Sequence, residues 1–279
     1  MPFVERPGVK VYYQSRGQGV PVLMLQGVGV VGEGWRPQAD ELAGTYHVAV
    51  VDNRGIGQSL PCTSTISIAA MADDALAVMD QLGWDSVHVM GHSMGGVIAQ
   101  HLALNHPQRV RSLSLLCTFS RGAEAARLTW PVLKMTLRTR LGSAAMKRRA
   151  FLEMLMPPQH LQGKDVAALA GDVAGLVGRD LATSPPILMK QLQAMRGSDL
   201  SSRLHELASI PTLVLSAGHD PIALTEYGRR LHQAIPGSAY LELEDASHGV
   251  TIEQPQRVNP ILADFLAGVD RALIAKNQY

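Results

Sequence analysis

The sequence predicts an α/β fold in which a mostly parallel central sheet is covered by helices on both faces. Apolar segments of strand length alternate along the chain with segments whose apolar residues recur at helical spacing. This alternation is typical of parallel sheets, because the connection between parallel strands crosses a face of the sheet as a helix. It is interrupted once, by a helical stretch from residue 119 to residue 208.

The first half of the chain supplies most of the predicted sheet. Two strands, at 9–15 and 20–26, are joined by a polar glycine turn of hairpin length. A near-continuous apolar run at 110–116 is typical of a strand buried on both faces. The other elements predicted here are strands at 47–51 and 87–90 and helices at 68–82 and 95–105.

The second half contains the interruption and the end of the sheet. We interpret 119–208 as a helical cap inserted after the sixth strand, which leaves 1–118 and 209–279 as the core. The cap should lie over the carboxyl ends of the strands, where ligands bind in open α/β sheets. The remaining predicted elements are strands at 212–216 and 239–243, a helix at 225–234 and a closing helix with an apolar face over 258–269.

Composition narrows the class of protein. With 46% hydrophobic and 18% charged residues in 279, the chain suits a soluble globular enzyme with a small-molecule substrate. No apolar run approaches the roughly 20 residues of a membrane span, and the N-terminus lacks a signal-peptide pattern, so we expect a cytoplasmic protein. Nucleic-acid binding is not expected, because no basic block is interleaved with aromatic residues. Cys62 and Cys117 lack metal-ligand spacing, and the oligomeric state is left open.

Charge is unevenly distributed along the chain. Residues 120–208 contain 13 Lys or Arg against 7 Asp or Glu, whereas the rest contains 12 against 17. We favour a solvated helical surface as the explanation. The alternative is a cap that attracts anionic substrates.

A serine lies at a tight turn between a predicted strand and a predicted helix. In Gly91-His92-Ser93-Met94-Gly95, glycines stand two residues before and two residues after Ser93. A strand that turns directly into a helix strains the residue at the bend, and small neighbours allow the strand and helix to pack around it. The serine hydroxyl then projects above the sheet, which favours a nucleophile over a purely structural glycine turn.

Candidate partners for the serine follow two later strands. A serine hydroxyl needs a base to take its proton, and the base needs an acid to orient it. Asp220 follows the strand at 212–216, and His248 lies in a small-residue loop after the strand at 239–243. Each has a structural alternative, since Asp220 precedes Pro221 and could start a turn, and His248 could be a surface histidine. Their order along the chain nevertheless favours a Ser-Asp-His set.

Two backbone N–H groups are candidates for holding an oxyanion. One belongs to Met94, the residue after the serine, and the other to Val28 in the loop that follows the second predicted strand. Gly27 and Gly29 allow that loop to approach a substrate closely. A plain glycine turn is the alternative interpretation.

These motifs resemble the α/β-hydrolase family, in particular its serine hydrolases with a helical cap. The resemblance covers nearly the whole chain outside the cap and depends on QGVG at 26–29, DNRGIGQS at 52–59, GHSMGG at 91–96, GHD at 218–220 and SHG at 247–249. It implies that Asp52 and Arg54 form an ion pair that shapes the second of these loops. One departure is Gln26, which stands where the family usually has His and changes the local hydrogen bonding.

The resemblance implies a cofactor-free and metal-free hydrolase that cleaves a carboxylic ester, a lactone or a thioester through an acyl-enzyme. Ser93 would attack, His248 would act as the base and Asp220 would orient it. Alternatives with the same three residues are a carbon–carbon bond hydrolase of a diketone-like acid and a perhydrolase of the haloperoxidase type. A catalytically silent ligand receptor is a different class. For substrate binding we single out Gln26, Gly27, Trp130, Met135 and Met154.

Overall fold

The protein is built on an eight-stranded sheet. The computed structural model describes residues 2–125, 137–138 and 141–276. The strands lie in the spatial order β1-β2-β4-β3-β5-β6-β7-β8. Their bounds are β1 (Phe3–Arg6), β2 (Val9–Arg16), β3 (Val20–Leu25), β4 (Tyr46–Val51), β5 (Val87–His92), β6 (Val110–Leu116), β7 (Thr212–Ala217) and β8 (Ala239–Leu243).

Most of the sheet is parallel, which confirms the predicted fold class. Strands β1 and β2 pair antiparallel with each other, and β2 pairs antiparallel with β4. All pairings from β4 across to β8 are parallel. Strand β5 is buried along its whole length, as expected for a central strand with helices on both faces. The carboxyl ends of β5, β7 and β8 therefore open on the same edge of the sheet.

The predicted hairpin between the second and third strands is wrong. Strand β4 lies between β2 and β3, so that Ser15 pairs with Ala49 while Val22 pairs with Val48. The glycines instead allow the connecting chain to cross close to the beginning of β4. Gly17 and Gly19 have φ of +78° and +108°, and a Cβ on Gly17 would collide with the Tyr46 carbonyl oxygen.

Helices flank the sheet and also make up most of the described part of the segment 119–208. Side chains at the helix starts accept backbone N–H groups, as Ser67 does for α2 and Asp165 for α6. The described α-helices are α1 (Arg36–Leu42), α2 (Ile68–Gln81), α3 (Met94–Asn105), α4 (Gly122–Ala125), α5 (Ala144–Leu155), α6 (Val166–Val177), α7 (Pro186–Arg196), α8 (Thr225–Ala234), α9 (Val250–Glu253) and α10 (Pro255–Lys276). Short 3₁₀ segments lie at Gly32–Trp35, Pro107–Arg109, Pro158–Leu161 and Ser201–Ser209.

The apolar core falls into two clusters. The large one includes the sheet and the helices packed on it, and the small one lies within the cap between α5 and α6. Met195, Leu204 and Leu207, near the end of the segment 119–208, pack in the large cluster. The exact domain boundaries therefore remain a prediction. Among the described helices, none is both long and apolar enough to span a membrane.

Candidate active site

Ser93 occupies a strained turn between β5 and α3. Its φ and ψ are +55° and −121°, a conformation that non-glycine residues rarely adopt. A Cβ on Gly91 would collide with the Gly95 carbonyl oxygen, and a Cβ on Gly95 would collide with the Leu25 carbonyl oxygen. The two glycines are therefore required by close backbone packing, as the sequence pattern predicts.

The neighbouring strand β6 holds the strained turn in place. The Ser93 N–H donates to the Leu116 carbonyl at 3.0 Å, and the Thr118 hydroxyl donates to the Ser93 carbonyl at 2.6 Å. With both backbone groups bound, the serine can keep an unfavourable φ at a fixed position. The N-terminus of α3 begins at the next residue, so the positive end of the helix dipole lies beside the hydroxyl.

The structure brings His248 and Asp220 to Ser93. His248 Nε2 lies 3.1 Å from Ser93 Oγ, and His248 Nδ1 lies 2.7 Å from Asp220 Oδ2. Because a carboxylate only accepts hydrogen bonds, Nδ1 carries the proton and Nε2 is free to accept the serine O–H. All three side chains are buried, at 6%, 6% and 3% exposure for Ser93, His248 and Asp220. This geometry is that of a hydrogen-bonded line from acid to base to hydroxyl.

Asp220 also forms a turn, which is the structural role that we considered as the alternative to orienting a histidine. Its Oδ1 accepts the N–H groups of Ile222 and Ala223 at 2.8 and 2.9 Å. One carboxylate oxygen thus forms the turn and the other faces His248. The two interpretations of this residue are compatible, and the turn fixes the direction in which the second oxygen points.

The histidine loop is held from two sides. His92 Nε2 donates to the His248 carbonyl at 2.8 Å, and complete burial lowers the pKa of His92 to about 3. On the cap side, the Ser247 hydroxyl lies 3.2 Å from the Met154 carbonyl and 3.1 Å from the His219 carbonyl, and the Gly249 N–H donates to the Leu155 carbonyl at 2.8 Å. The end of α5 therefore binds the residues on both sides of His248.

The loop after β3 lies directly beside the serine. A Cβ on Gly27 would come within 3.0 Å of Ser93 Cβ and 3.4 Å of Ser93 Oγ. Gln26 is buried, and its Oε1 accepts the Gly27 N–H at 3.1 Å, while Asn53 Nδ2 donates to the Gln26 carbonyl at 2.9 Å. Gln26 thus orders this loop through its own side chain. Val28 follows in the same loop, and the role of its N–H and of the Met94 N–H remains a prediction.

A cap residue that sequence reasoning missed also fixes this loop. Gln191 on α7 is fully buried, its Oε1 accepts the Gly29 N–H at 2.9 Å, and its Nε2 lies 3.4 Å from the Arg54 carbonyl. It therefore connects the cap to the loop beside Ser93. No local pattern in the sequence marks this glutamine, because its partners lie more than 130 residues away.

The predicted ion pair between Asp52 and Arg54 is wrong. Asp52 instead accepts the N–H groups of Gly32 and Gln58 at 2.7 and 2.9 Å, while burial raises the pKa of its carboxyl. Arg54 pairs with Asp74 on α2, with nitrogen–oxygen distances of 2.7 and 2.5 Å. Asp52 therefore shapes the loop by accepting backbone N–H groups. The partner of the Arg54 guanidinium is the Asp74 carboxylate on a neighbouring helix.

The predicted substrate contacts from the cap have different outcomes. Trp130 and Met135 lie outside the described residues. Met154 is half-buried and packs on the apolar cluster of the cap, and its carbonyl accepts the Ser247 hydroxyl. Its predicted role in substrate binding stays a prediction.

A mostly parallel sheet, helices that flank it and a strained serine between strand and helix together have the architecture of an α/β hydrolase. The model of the α/β-hydrolase fold family matches residues 20–255, so the chain belongs to this family. Relatives named as the carbamate hydrolase RutD are similar to this chain over most of its length. The Azorhizobium caulinodans protein is 28% identical over 97% of this chain and all of its own length, and the Caulobacter sp. protein is 31% identical over 88% and 90%.

Solved structures show the same architecture. The enol-lactonase from Burkholderia xenovorans LB400 superposes with a TM-score of 0.79 at 26% identity, covering 95% of this chain and all of that one. Est816, described as an N-acyl homoserine lactone degrading enzyme, superposes with a TM-score of 0.78 at 27% identity over the same shares. The chain is thus a hydrolase of the α/β family.

Proposed function

We propose that this protein is a serine hydrolase that cleaves a carboxylic ester, including the cyclic ester of a lactone, through an acyl-enzyme. The observation that carries this proposal is the buried line of hydrogen bonds from Asp220 through His248 to the Ser93 hydroxyl, with distances of 2.7 and 3.1 Å. Nucleophile, base and orienting acid at such distances are what acyl transfer to a hydroxyl requires.

The reaction then has two halves. As Ser93 Oγ attacks the carbonyl carbon, its proton moves to His248 Nε2, and the imidazolium is stabilised by the Asp220 carboxylate. His248 returns this proton to the departing alkoxide, which leaves an acyl-enzyme on Ser93. It next takes a proton from water as the water oxygen attacks the acyl carbon. The bond between the acyl carbon and Ser93 Oγ then breaks, His248 returns the proton to Ser93 Oγ, and the acid is released. With a lactone, alcohol and acid leave as one molecule.

The negative charge on the substrate oxygen needs fixed donors. We assign the N–H groups of Val28 and Met94, because a Cβ on Gly27 would lie only 3.0 Å from Ser93 Cβ and Met94 begins α3. The N-terminal end of α3 adds favourable electrostatic potential at the same place. Removing one such donor typically costs about 2.7 to 4 kcal/mol of barrier.

The names of the relatives favour acyl transfer to water. Carbamates, enol-lactones and homoserine lactones, named for the relatives above, are all attacked at a carbonyl carbon that bears a leaving oxygen or nitrogen. Esters and lactones are therefore the first substrates to test, with carbamates beside them. Carbon–carbon cleavage, peracid formation and binding without turnover are the competing outcomes of the same assays.

The proposal is tested with a fluorophosphonate probe and a panel of p-nitrophenyl esters and lactones. We expect labelling of the wild type at Ser93, and loss of both labelling and turnover in Ser93→Ala, with kcat reduced by about 10⁴-fold or more. Ser114→Ala is the matched control, since this buried serine on β6 has no hydrogen-bond partner among the described residues. Ester turnover that survives Ser93→Ala would overturn the proposal, as would an unlabelled and inactive wild type.

A further inference from the structure

A half-buried arginine in the cap has two guanidinium nitrogens without a hydrogen-bond partner. Arg179 follows the end of α6, and its Nε and Nη1 are shielded from solvent without donating to any acceptor among the described residues. It forms no ion pair with the part of the chain that the structure describes. Burial alone lowers the pKa of this guanidinium, because no carboxylate compensates for the lost hydration.

The guanidinium lies beside the loop that contains Val28. Arg179 Nη2 would be 3.1 Å from a Cβ on Gly29, so it reaches the backbone next to Val28. Its carbon Cζ lies 5.5 Å from the centre of the Phe151 ring, and the aromatic face supports the cation from the cap side. The charge is thus held between the cap and the loop that flanks Ser93.

Other arginines show that this chain pairs buried or ordered guanidinium groups when a carboxylate is nearby. Arg54 is buried and bound to Asp74 on two nitrogens. Asp180 is the residue next to Arg179, yet both of its oxygens bind Arg148 on α5, at 2.8 and 2.5 Å. The carboxylate next to Arg179 in the sequence therefore pairs with a different arginine. Shielding two guanidinium nitrogens from water without an acceptor is unfavourable, so the retention of Arg179 needs a reason.

We propose that the missing partner is a carboxylate of the substrate, and that Arg179 is a specificity-determining residue for acidic esters or lactones. The substrate class is a half-ester of a dicarboxylic acid, or a lactone that carries a free carboxylate. The reactive carbonyl lies at Ser93, and the carboxylate accepts hydrogen bonds from Arg179 beside Gly29. This assignment rests on the proposed hydrolase function for the reaction, but the binding of the carboxylate does not require turnover.

The first experiment compares two substrates that differ in one charge. Monomethyl glutarate and dimethyl glutarate are assayed with the wild type and with Arg179→Gln. We expect the wild type to prefer the half-ester, and the variant to lose about 10- to 100-fold of that preference in kcat/KM, as expected for a lost charge-assisted contact. The kcat/KM for the diester should change by less than about threefold. Arg149→Gln is the matched control, because it removes an exposed arginine of the cap whose partner is Glu153 and not the carboxylate next to Arg179.

The second experiment measures binding without chemistry. In the Ser93→Ala background, glutarate should raise the melting temperature, and adding Arg179→Gln should abolish that rise while Arg149→Gln should not. Arg179→Met, which keeps an apolar stem against Phe151, serves as a second variant if the glutamine variant folds poorly.

The outcomes separate the two proposals. If glutarate stabilises the wild type but not Arg179→Gln while no ester is hydrolysed, the carboxylate site stands and the hydrolase proposal fails. If esters are hydrolysed but the half-ester preference is absent, or survives in both Arg179 variants, the carboxylate site is overturned. Equal losses for the diester and the half-ester would also overturn it, because Arg179 would then act only on the shape of the loop.

Discussion

Individual residues at the carboxyl edge of the sheet are strained or neutral in ways that suit a reactive site. Ser93 and Cys117 are the described non-glycine residues with positive φ, and both follow central strands at that edge. Burial, and to a lesser extent the nearby Asp220 carboxylate, raises the pKa of the Cys117 thiol, which stays uncharged next to the proposed acid. Local strain at Ser93 and suppressed ionisation of Cys117 are thus consistent with the proposed roles of Ser93, His248 and Asp220.

The neutral state of His92 should make folding stability depend on pH. Its pKa is about 3 in the folded protein and about 6.5 when unfolded, so between these values only the unfolded chain takes up the proton. Its contribution is therefore lost progressively as pH falls below about 6.5, and this loss continues down to about pH 3. We expect His92→Gln, whose amide can still donate to the His248 carbonyl, to weaken this loss.

Urea unfolding at pH values from 7 to 4 measures this effect. The free energy of unfolding of His92→Gln should fall less steeply than that of the wild type, by up to about 1.4 kcal/mol per pH unit. Burial also lowers the pKa of His88, so some slope should remain in the variant. Parallel curves for the two proteins would show that His92 does not titrate differently on folding.

At the scale of elements, hydrogen bonds connect the cap to the loop that contains His248. The last turn of α5 accepts hydrogen bonds from Ser247 and Gly249, and the 3₁₀ segment Pro158–Leu161 adds a contact between His160 and Glu253 on α9. A displacement of this end of the cap would move the base. Cap position and the orientation of His248 are therefore coupled.

Gly249 is the closest point of this contact. A Cβ at this position would lie 2.7 Å from Leu155 Cβ and 2.8 Å from the Leu155 carbonyl oxygen, while its φ of −88° is acceptable for alanine. We expect Gly249→Ala to push α5 away and lengthen the hydrogen bond from the residue 249 N–H to the Leu155 carbonyl. This should misplace His248 and lower kcat about tenfold. Steady-state kinetics on a p-nitrophenyl ester, together with thermal unfolding, tests this.

Gly171 offers a matched control on the cap. It lies in the middle of α6, and a Cβ there would meet no atom within 4 Å. Gly171→Ala should leave kcat unchanged and stabilise the helix by about 0.5 to 1 kcal/mol. If both alanine variants were equally active, the cap would not position the base.

Elements were predictable where periodicity was strong. The apolar face of α2, the continuous run of β6 and the amphipathic α8 all lie where the pattern placed them. Strand β1 was missed because its four residues are too few to show alternation. The hairpin error has a different cause, since two strands joined by a short glycine turn look alike in sequence whether or not a third strand inserts between them.

At the scale of the whole molecule, residue types and chain order predicted the site better than any local feature. Ser93, Asp220 and His248 converge because parallel strands deliver their following loops to one edge. The roles of Gln191 and Arg179 were not predictable, because they depend on where the cap packs. Whole-chain packing decided those contacts.

A second Ser-His-Asp line shows why position matters as much as composition. Ser112 Oγ lies 2.7 Å from His88 Nδ1, and His88 Nε2 lies 3.1 Å from Asp270 Oδ1 on α10. Ser112 and His88 are fully buried within the sheet, away from the carboxyl edge where Ser93 lies. These two hydrogen bonds attach α10 to the sheet. The site at Ser93 differs by its strained turn at the start of α3 and by its place at the carboxyl edge of the sheet.

The Arg54–Asp74 pair connects distant parts of the molecule, and its loss should be costly. Asp74 on α2 binds Arg54 in the loop after β4 and also Arg6 of β1, at 3.2 Å. The Arg54 and Asp74 side chains are only 5% and 3% exposed, so Asp74→Asn would leave a buried guanidinium without a counter-charge. We expect a loss of about 3 to 5 kcal/mol in the free energy of unfolding, measured by urea denaturation at pH 7.

Asp80→Asn on the same helix is the control. Its pair with Arg109 should contribute at most about 1 kcal/mol, because the Asp80 side chain is 58% exposed. The loop of Arg54 also contacts Gln191 through the Arg54 carbonyl, so Asp74→Asn should lower ester turnover as well as stability, whereas Asp80→Asn should leave ester turnover unchanged. Equal stabilities of the two variants would mean that water reaches Arg54 and that this ion pair does not hold the loop.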